Sequence, residues 1–271
     1  MISDALTQAL TDGSVTHGRP FNQHSNGVLV GLFNAFLEDH GIDTLIELGA
    51  HRASTARRFM RAKRGRRALA VEANPFNHAK FKEQVEARGV VYWNLAVNDV
   101  TGPVDLILAD DQVDRARGHT KTSNSLLRNK DHGRTMTRTV EGLSFDDLIA
   151  RAVGEGVLAA PAQAKTALWI DLEGIVDRML AGGKTHLPSC QAIFVEVEHA
   201  ELFEGQMAYP QVNAMFEELG FTAVLRDNEY YPRQNNVLYV SRDAMSADEM
   251  AAWQDRLLAA LATFEPDAAT Q

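Results

Sequence analysis

The chain has 271 residues, enough for one large domain with extensions, and its 45% hydrophobic and 23% charged content excludes a disordered chain. Its longest apolar runs fall far short of the ~20 residues that a bilayer-spanning helix requires. With 27 basic against 36 acidic residues the net charge is −9, which argues against broad nucleic-acid affinity, and a lone cysteine, Cys190, can neither close an internal disulfide nor build a zinc site.

The opening MISDALTQALTDGS has no basic stretch followed by an apolar one, so no secretory signal is expected and a cytoplasmic location fits. Residues 1–41 read as a helical extension. Leu29, Leu32, Phe33, Phe36 and Leu37 recur at helical spacing over 28–40, and Gly41 is the expected stop. That helix can cover a sheet or form a dimer face. Before it, THGRPFNQHSNG (16–27) is rich in turn formers and is expected to be a loop.

TLIEL (44–48) is a short buried strand ending at Gly49-Ala50, with Ser54 placed to cap a helix through Phe59. ALAV (68–71) is the next strand and ends at Glu72. Asn74-Pro75 opens a helix that carries Phe81 and Val85 on one face and stops at Gly89. VVYW (90–93) is a third strand and 106–108 a short piece beyond it. Residues 109–138 are polar, with only Leu126 and Leu127 looking buried, and are expected to form a substrate loop or lid.

Ser144 and Asp147 form a capping box for the next helix. ALWI (167–170) is a strand ending at Asp171, followed by a short helix stopped by Gly182-Gly183. AIFVEV (192–197) is a strand ending near Glu198-His199. Pro210 starts a helix ended by Gly220. Residues 222–225 and 237–240 flank a polar turn as an antiparallel hairpin, and Ser246 with Glu249 opens a helix within a C-terminal piece, 243–271. Strands alternating with helices indicate an α/β domain with a mainly parallel sheet, spanning 42–242. Ligands of such sheets bind beyond the carboxyl ends of the strands.

Three constellations lie there. Glu47-Leu48-Gly49-Ala50 ends the first strand, and Glu72 follows Gly49 by 23 positions, a spacing at which an acid can accept from ribose hydroxyls. The G-x-G-x-x-G fingerprint and the P-loop are both absent, which disfavours dinucleotides and ATP and allows an adenosyl ligand without phosphates. Asp171 and Glu173 flank the end of a later strand, and one of them could serve instead as a helix cap. Glu196 and Glu198 share one face of the strand before His199, whose near-neutral pKa suits general-base work. A basic run, Arg52, Arg57, Arg58, Arg61, Lys63, Arg64, Arg66 and Arg67, reads either as a solvated helix face or as a site for an anionic substrate or partner.

These pieces together resemble the FkbM-type methyltransferases, which use S-adenosylmethionine. The matching segments are IELGAHRAS, VEANP, NLAVND, SNSLL, TRTVEGLSFDDLI, LWIDLEGIVDRMLAGG, IFVEVEH and NNVLYVS, over roughly 43–241. The resemblance implies a Rossmann-like class I methyltransferase sheet, mainly parallel with an antiparallel C-terminal hairpin and helices on both faces. It implies that Glu47, Gly49 and Ala50 cradle the methionine portion of the cofactor and that Glu72 binds its ribose. Asn98 or Asp99 would lie near the adenine, and Asp171 and Glu173 would face the reacting groups. Where the family carries asparagine and then glycine after Gly-Ala, this chain carries His51 and Ala53.

The expected reaction is O-methylation of a hydroxyl on a sugar, glycan or other small molecule. The base would be Asp171 first, then His199, then His119 if the loop closes. A divalent metal on Asp171, Glu173 and Glu196 could instead activate the hydroxyl, but no motif demands one and no metal site is assigned. A non-catalytic protein that binds S-adenosylmethionine, motivated by His51 and Ala53, and an RNA methyltransferase using the basic run are the alternatives. Asn228-Glu229-Tyr230-Tyr231 in the final hairpin could pack over the pocket or form a plain turn.

Overall fold

The structure, a computed structural model, describes residues 1–109, 124–130, 135–229 and 232–266. In chain order its strands are β1 (Thr44–Leu48), β2 (Arg67–Val71), β3 (Val91–Trp93), β4 (Ala96–Asn98), β5 (Gly102–Ala109), β6 (Thr135–Ser144), β7 (Thr166–Ile170), β8 (Ala192–Glu198), β9 (Phe221–Arg226) and β10 (Gln234–Ser241). The helices are α1 (Asp4–His17), α2 (Arg19–Asp39), α3 (Ser54–Ala62), α4 (Pro75–Glu86), α5 (Phe145–Gly154), α6 (Val176–Ala181), α7 (Tyr209–Glu218) and α8 (Ala247–Leu261).

Seven strands form one sheet in the order β3-β2-β1-β7-β8-β10-β9, and β10 alone runs against the rest. This is the Rossmann-like class I methyltransferase arrangement, with the strand order reversing between β1 and β7. β1 is buried along its whole length because both faces are covered. Alternation sends Leu45, Phe194 and Leu238 to one face, where α1, α2 and α8 cover them with Leu6, Phe33, Phe36 and Leu257. Ile46, Leu168, Ile193 and Tyr239 face the other way, under Phe145 and Leu148 of α5, Met179 of α6 and Phe216 of α7. The terminal helices therefore share one core with the sheet.

The expected caps of α4, α5 and α8 are present. Asn74 accepts from Phe76 N, Ser144 from Asp147 N, and Ser246 exchanges bonds with Glu249, but the reciprocal half of the box expected at Ser144 is absent, since Ser144 N donates to Thr101 and Thr101 to Asp147. Three expectations are corrected. Residues 19–27 are not a loop but the first turns of α2. Only Gly18, at φ +60°, breaks the chain between the two helices, and Pro20 sits in the first turn, where no backbone donor is needed. Phe21 and Ser25 are buried there, and Ser25 bonds to Asn228 N, so tertiary contacts override the turn-rich composition. Ser54 does not cap α3. The cap position is Ala53, with no side-chain bond.

The third correction concerns the polar stretch expected over 109–138. Regular structure extends to Ala109 and resumes at Thr135, because β5 pairs antiparallel along its whole length with β6, which also joins β4 in a small second sheet. Of the stretch between them, residues 110–123 and 131–134 lie outside the described residues, as does His119. Tyr230 and Tyr231 lie outside them too. Among the described residues no helix is long and apolar enough to cross a membrane.

Candidate active site

The carboxyl ends of β1, β2, β7 and β8 converge where the strand order reverses. The turn after β1 is tight. Gly49 has φ +71°, and a Cβ there would lie 1.8 Å from the backbone oxygen of Asp171. His51 (φ +46°) and Ala53 (φ +49°) are the non-glycine residues with left-handed backbone among those described. Each such residue costs roughly 1–2 kcal/mol, so the turn must be held from outside. The His51 carbonyl accepts from the Tyr92 hydroxyl, and the His51 amide donates to Glu72 Oε2 at 2.7 Å. The His51 ring stands edge-on to Phe81 with centroids 4.9 Å apart. The turn thus holds left-handed backbone at positions 51 and 53 with neither asparagine nor glycine there.

Glu72, at the end of β2, is the hub of a narrow cavity. Its second oxygen accepts from Asn74 N at 2.8 Å. Gly49, His51, Asn77, Asn124 and Ser125 line the same cavity, with apolar walls from Val71, Leu95, Val97 and Leu106. Burial pushes the Glu72 carboxyl up to about 7, against the pull of the two amides and the Asn77 side chain. The amides fix the plane of the carboxylate and leave lone pairs for further donors. Asn124, Ser125 and Leu126 close one side of this space. Ser125 bridges Ile107 of β5, and its hydroxyl donates to the Glu173 carbonyl at 2.5 Å.

A second, wider cleft of about 1200 Å³ opens on the face covered by α1 and α2. Trp169, Glu196, Glu229, Gln234 and Asn236 line it from the sheet and the final hairpin, and Ser14, Asn22 and Asn26 line it from the helices. Trp169 lies flat on Phe194 with ring centroids 4.0 Å apart. Asp171 and Glu173 line both the cavity and the cleft. Asp171 opens onto that shared space, yet it lies deep enough for loss of bulk water to push its carboxyl up to about 6. Glu173 and Glu196 are driven well above the usual carboxylate range, first by burial and then by neighbouring carboxylates. Oxygens of Asp171, Glu173 and Glu196 all lie within 4.8 Å of one another, so this group could hold a divalent cation or face a cationic ligand. Glu198 stands behind them, accepting from Gly174 N at 3.2 Å, and burial raises it to about 7.

The sequence profile described as Methyltransferase FkbM domain matches residues 47–223. The chain belongs to the FkbM methyltransferase family. Among curated proteins it is similar to the 2-O-methyltransferase NoeI of Sinorhizobium fredii (strain NBRC 101917 / NGR234), 23% identical over 167 residues. That match takes in 60% of this chain and 66% of NoeI, so the chain spans a little under two thirds of its relative. Among solved structures it is similar to the magnesium protoporphyrin IX methyltransferase ChlM from Synechocystis PCC 6803 with bound SAM, at TM-score 0.42 and 10% identity, covering 80% of this chain and 79% of that one. It is also similar to precorrin-6y C5,15-methyltransferase from Geobacter metallireducens GS-15, at TM-score 0.39 and 10% identity, covering 74% and 80%.

Within this FkbM domain the expected site residues divide. Gly49, Glu72, Asp171 and Glu173 stand together on the cavity wall. Glu47 does not line it: its buried carboxylate accepts from Thr55 N and Ala56 N, at 3.4 and 2.6 Å, and so caps α3 from β1. Ala50 is buried, with its amide on the Val71 carbonyl. Asn98 is buried one position past Ala96 and Val97, which do line the cavity. Asp99 beyond it is exposed. His199 is not brought to the carboxylates. It is exposed past the end of β8, its ring against Tyr209 and its Nε2 paired with Asn235 Oδ1. Sequence reasoning missed the apolar walls Val71, Leu95 and Leu106, and missed Asn22 and Asn26 on α2. An apolar residue facing a cavity reads the same as one facing the core.

Proposed function

We propose that the protein transfers a methyl group from S-adenosylmethionine to a hydroxyl of a sugar, glycan or other small molecule. The observation that carries this reading is the pair of chambers meeting at Asp171 and Glu173: one narrow with apolar walls and an oriented carboxylate, one wide and polar. The residues fit the cofactor. Glu72 has a lone pair left for a ribose hydroxyl, and Val71, Leu95, Val97 and Leu106 offer an apolar berth for a flat ring. The carboxylates at the junction favour a positively charged group. When bound, the cofactor supplies an activated methyl on a sulfonium.

The chain's own residues then have three tasks. Trp169, Asn236 and the α2 side chains orient an acceptor in the wide cleft. Asp171 would take the proton of the acceptor hydroxyl, while Gly49 and Glu72 would hold the cofactor that supplies the methyl group. A base whose pKa lies near 6 is ionised at neutral pH and still basic enough to help. Residues 124–127 cover the reacting end and limit water. The held turn at His51 and Ala53 supports an intact cofactor site over a non-catalytic remnant. Calorimetry with S-adenosylmethionine and S-adenosylhomocysteine tests the reading. Micromolar binding of both is expected, and no binding of either overturns it.

A further inference from the structure

The basic run divides sharply in the structure. Arg66 is buried and paired with Glu38 at 2.7 Å, and Arg67 bonds to the carbonyls of Gly156 and Val157. Those two serve the fold. Arg52, Arg58 and Arg61 are exposed, and among the described residues no carboxylate lies within ion-pairing distance of any of them. With Arg57 they ring a surface hollow floored by Phe81 and Gln84.

This placement works in part against the helix that carries it. Arg57 faces the Glu47 carboxylate that caps α3, and Arg61 sits in the last turn, where a cation suits the helix dipole, but Arg52 and Arg58 have no such role. Arg57 and Arg61 are four residues apart and Arg58 and Arg61 three, so like charges face each other on one side. Packing does not require them, since α3 buries Thr55, Ala56 and Phe59 instead. Local rules broken without a structural gain point to a ligand. Guanidinium groups gathered around a hollow match the oxygens of phosphate, which they hold in bidentate pairs.

The hollow borders the wide cleft of the site, with Ser54 and Arg58 lining both. Arg58 lines both the hollow and the wide cleft that contains Asp171, Glu173 and Glu196, and Arg19 of α2 lines that cleft as well. We infer that the acceptor carries a phosphate or diphosphate group, seated on Arg52, Arg58 and Arg61 while its hydroxyl reaches Asp171. The inference rests on the methyl-transfer reading for the second half of that statement. A polyanion such as RNA is the weaker occupant, because the chain carries net charge −9 and the cleft beyond Arg58 is lined by carboxylates that repel a phosphate backbone.

The test titrates inorganic pyrophosphate into the full-length protein and into the triple variant Arg52→Gln/Arg58→Gln/Arg61→Gln, with S-adenosylhomocysteine binding measured on both. The wild type is expected to bind pyrophosphate with a steep salt dependence, and the variant roughly tenfold or more weakly. S-adenosylhomocysteine affinity should be the same in both, which also shows that the variant is folded. The triple lysine variant should keep part of the affinity, since charge remains while the bidentate fork is lost. Equal pyrophosphate binding by wild type and glutamine variant, or none by the wild type, overturns the inference. So does a short single-stranded RNA that outcompetes pyrophosphate and loses its affinity in the same variant. Pyrophosphate binding without any S-adenosylhomocysteine binding would instead sink the methyl-transfer reading and with it the acceptor half of the inference.

Discussion

Replacing Glu72 with glutamine removes one charge from the cavity and changes little else in shape. A carboxylate offers about four acceptor positions. The amides of His51 and Asn74 occupy two of them, at 2.7 and 2.8 Å, and the Asn77 side chain a third, so about one remains for a ligand hydroxyl. Each hydrogen bond to a charged acceptor is worth about 1.5–3 kcal/mol, and losing one weakens cofactor binding by roughly 10- to 150-fold. The pH dependence is the sharper signature. Glu72 is raised to about 7, and hydroxyl donors favour its ionised form. Affinity should therefore fall as pH drops through that value, by up to about 30-fold between about pH 8.5 and about pH 5.5 if only the ionised form binds. Calorimetry of S-adenosylhomocysteine across that range, on wild type and Glu72→Gln, reads both effects. Thermal unfolding of the same samples reports any disturbance to the His51 turn. A variant that binds within twofold of wild type and keeps the wild-type pH profile would refute the role given to Glu72.

Asp171→Asn should leave S-adenosylhomocysteine affinity within about twofold while cutting turnover about 10²- to 10⁴-fold in a methyl-transfer assay; unchanged turnover would remove Asp171 as the base. Gly49→Ala should destabilise the protein by more than about 3 kcal/mol in urea unfolding and abolish cofactor binding, because its Cβ would press on the Asp171 carbonyl at 1.8 Å and its backbone is left-handed. Stability of the ligand-free protein should rise by at least about 2 kcal/mol as pH falls from about 8 to about 5.5. Glu47, Glu72 and Glu198 are raised to about 7 from 4.5. Through that window the folded state therefore takes up protons that the unfolded chain releases, and a flat profile would contradict the burial of these groups.

Elements with strong local signals were legible in the sequence. Asn74-Pro75, Ser144 with Asp147, and Ser246 with Glu249 mark helix starts through bonds that span three residues or fewer, so no tertiary knowledge was needed. The acids that end β2 and β7 followed from alternation of strands and helices alone. What escaped depends on distant partners. Residues 19–27 become helical because Phe21 and Ser25 find a buried face and Asn228 supplies a bond across the fold. The β5–β6 hairpin is half exposed and polar, so its composition looks like a loop until its strands are paired. Glu47 looked like a ligand residue because it ends a strand beside a glycine turn, but the cap that α3 lacks locally claims its carboxylate. His199 follows a strand of site residues, and strand alternation turns it away from them.

The family match ends well short of both ends of the chain, and the two chambers fall on different sides of that boundary. Every cavity residue around Glu72 lies inside 47–223. Much of the wide cleft does not: Ser14, Asn22 and Asn26 come before the matched stretch, and Glu229, Gln234 and Asn236 come after it. Under the proposed reaction, the wall that holds the methyl donor lies wholly within the family stretch, and the wall that receives the acceptor only in part. Mutation can redraw the receiving wall from α1, α2 and the last hairpin while the donating wall stays fixed. Relatives alike through 47–223 would then differ in what they modify, and a chimaera that exchanges only residues 1–41 would move acceptor preference without moving cofactor affinity.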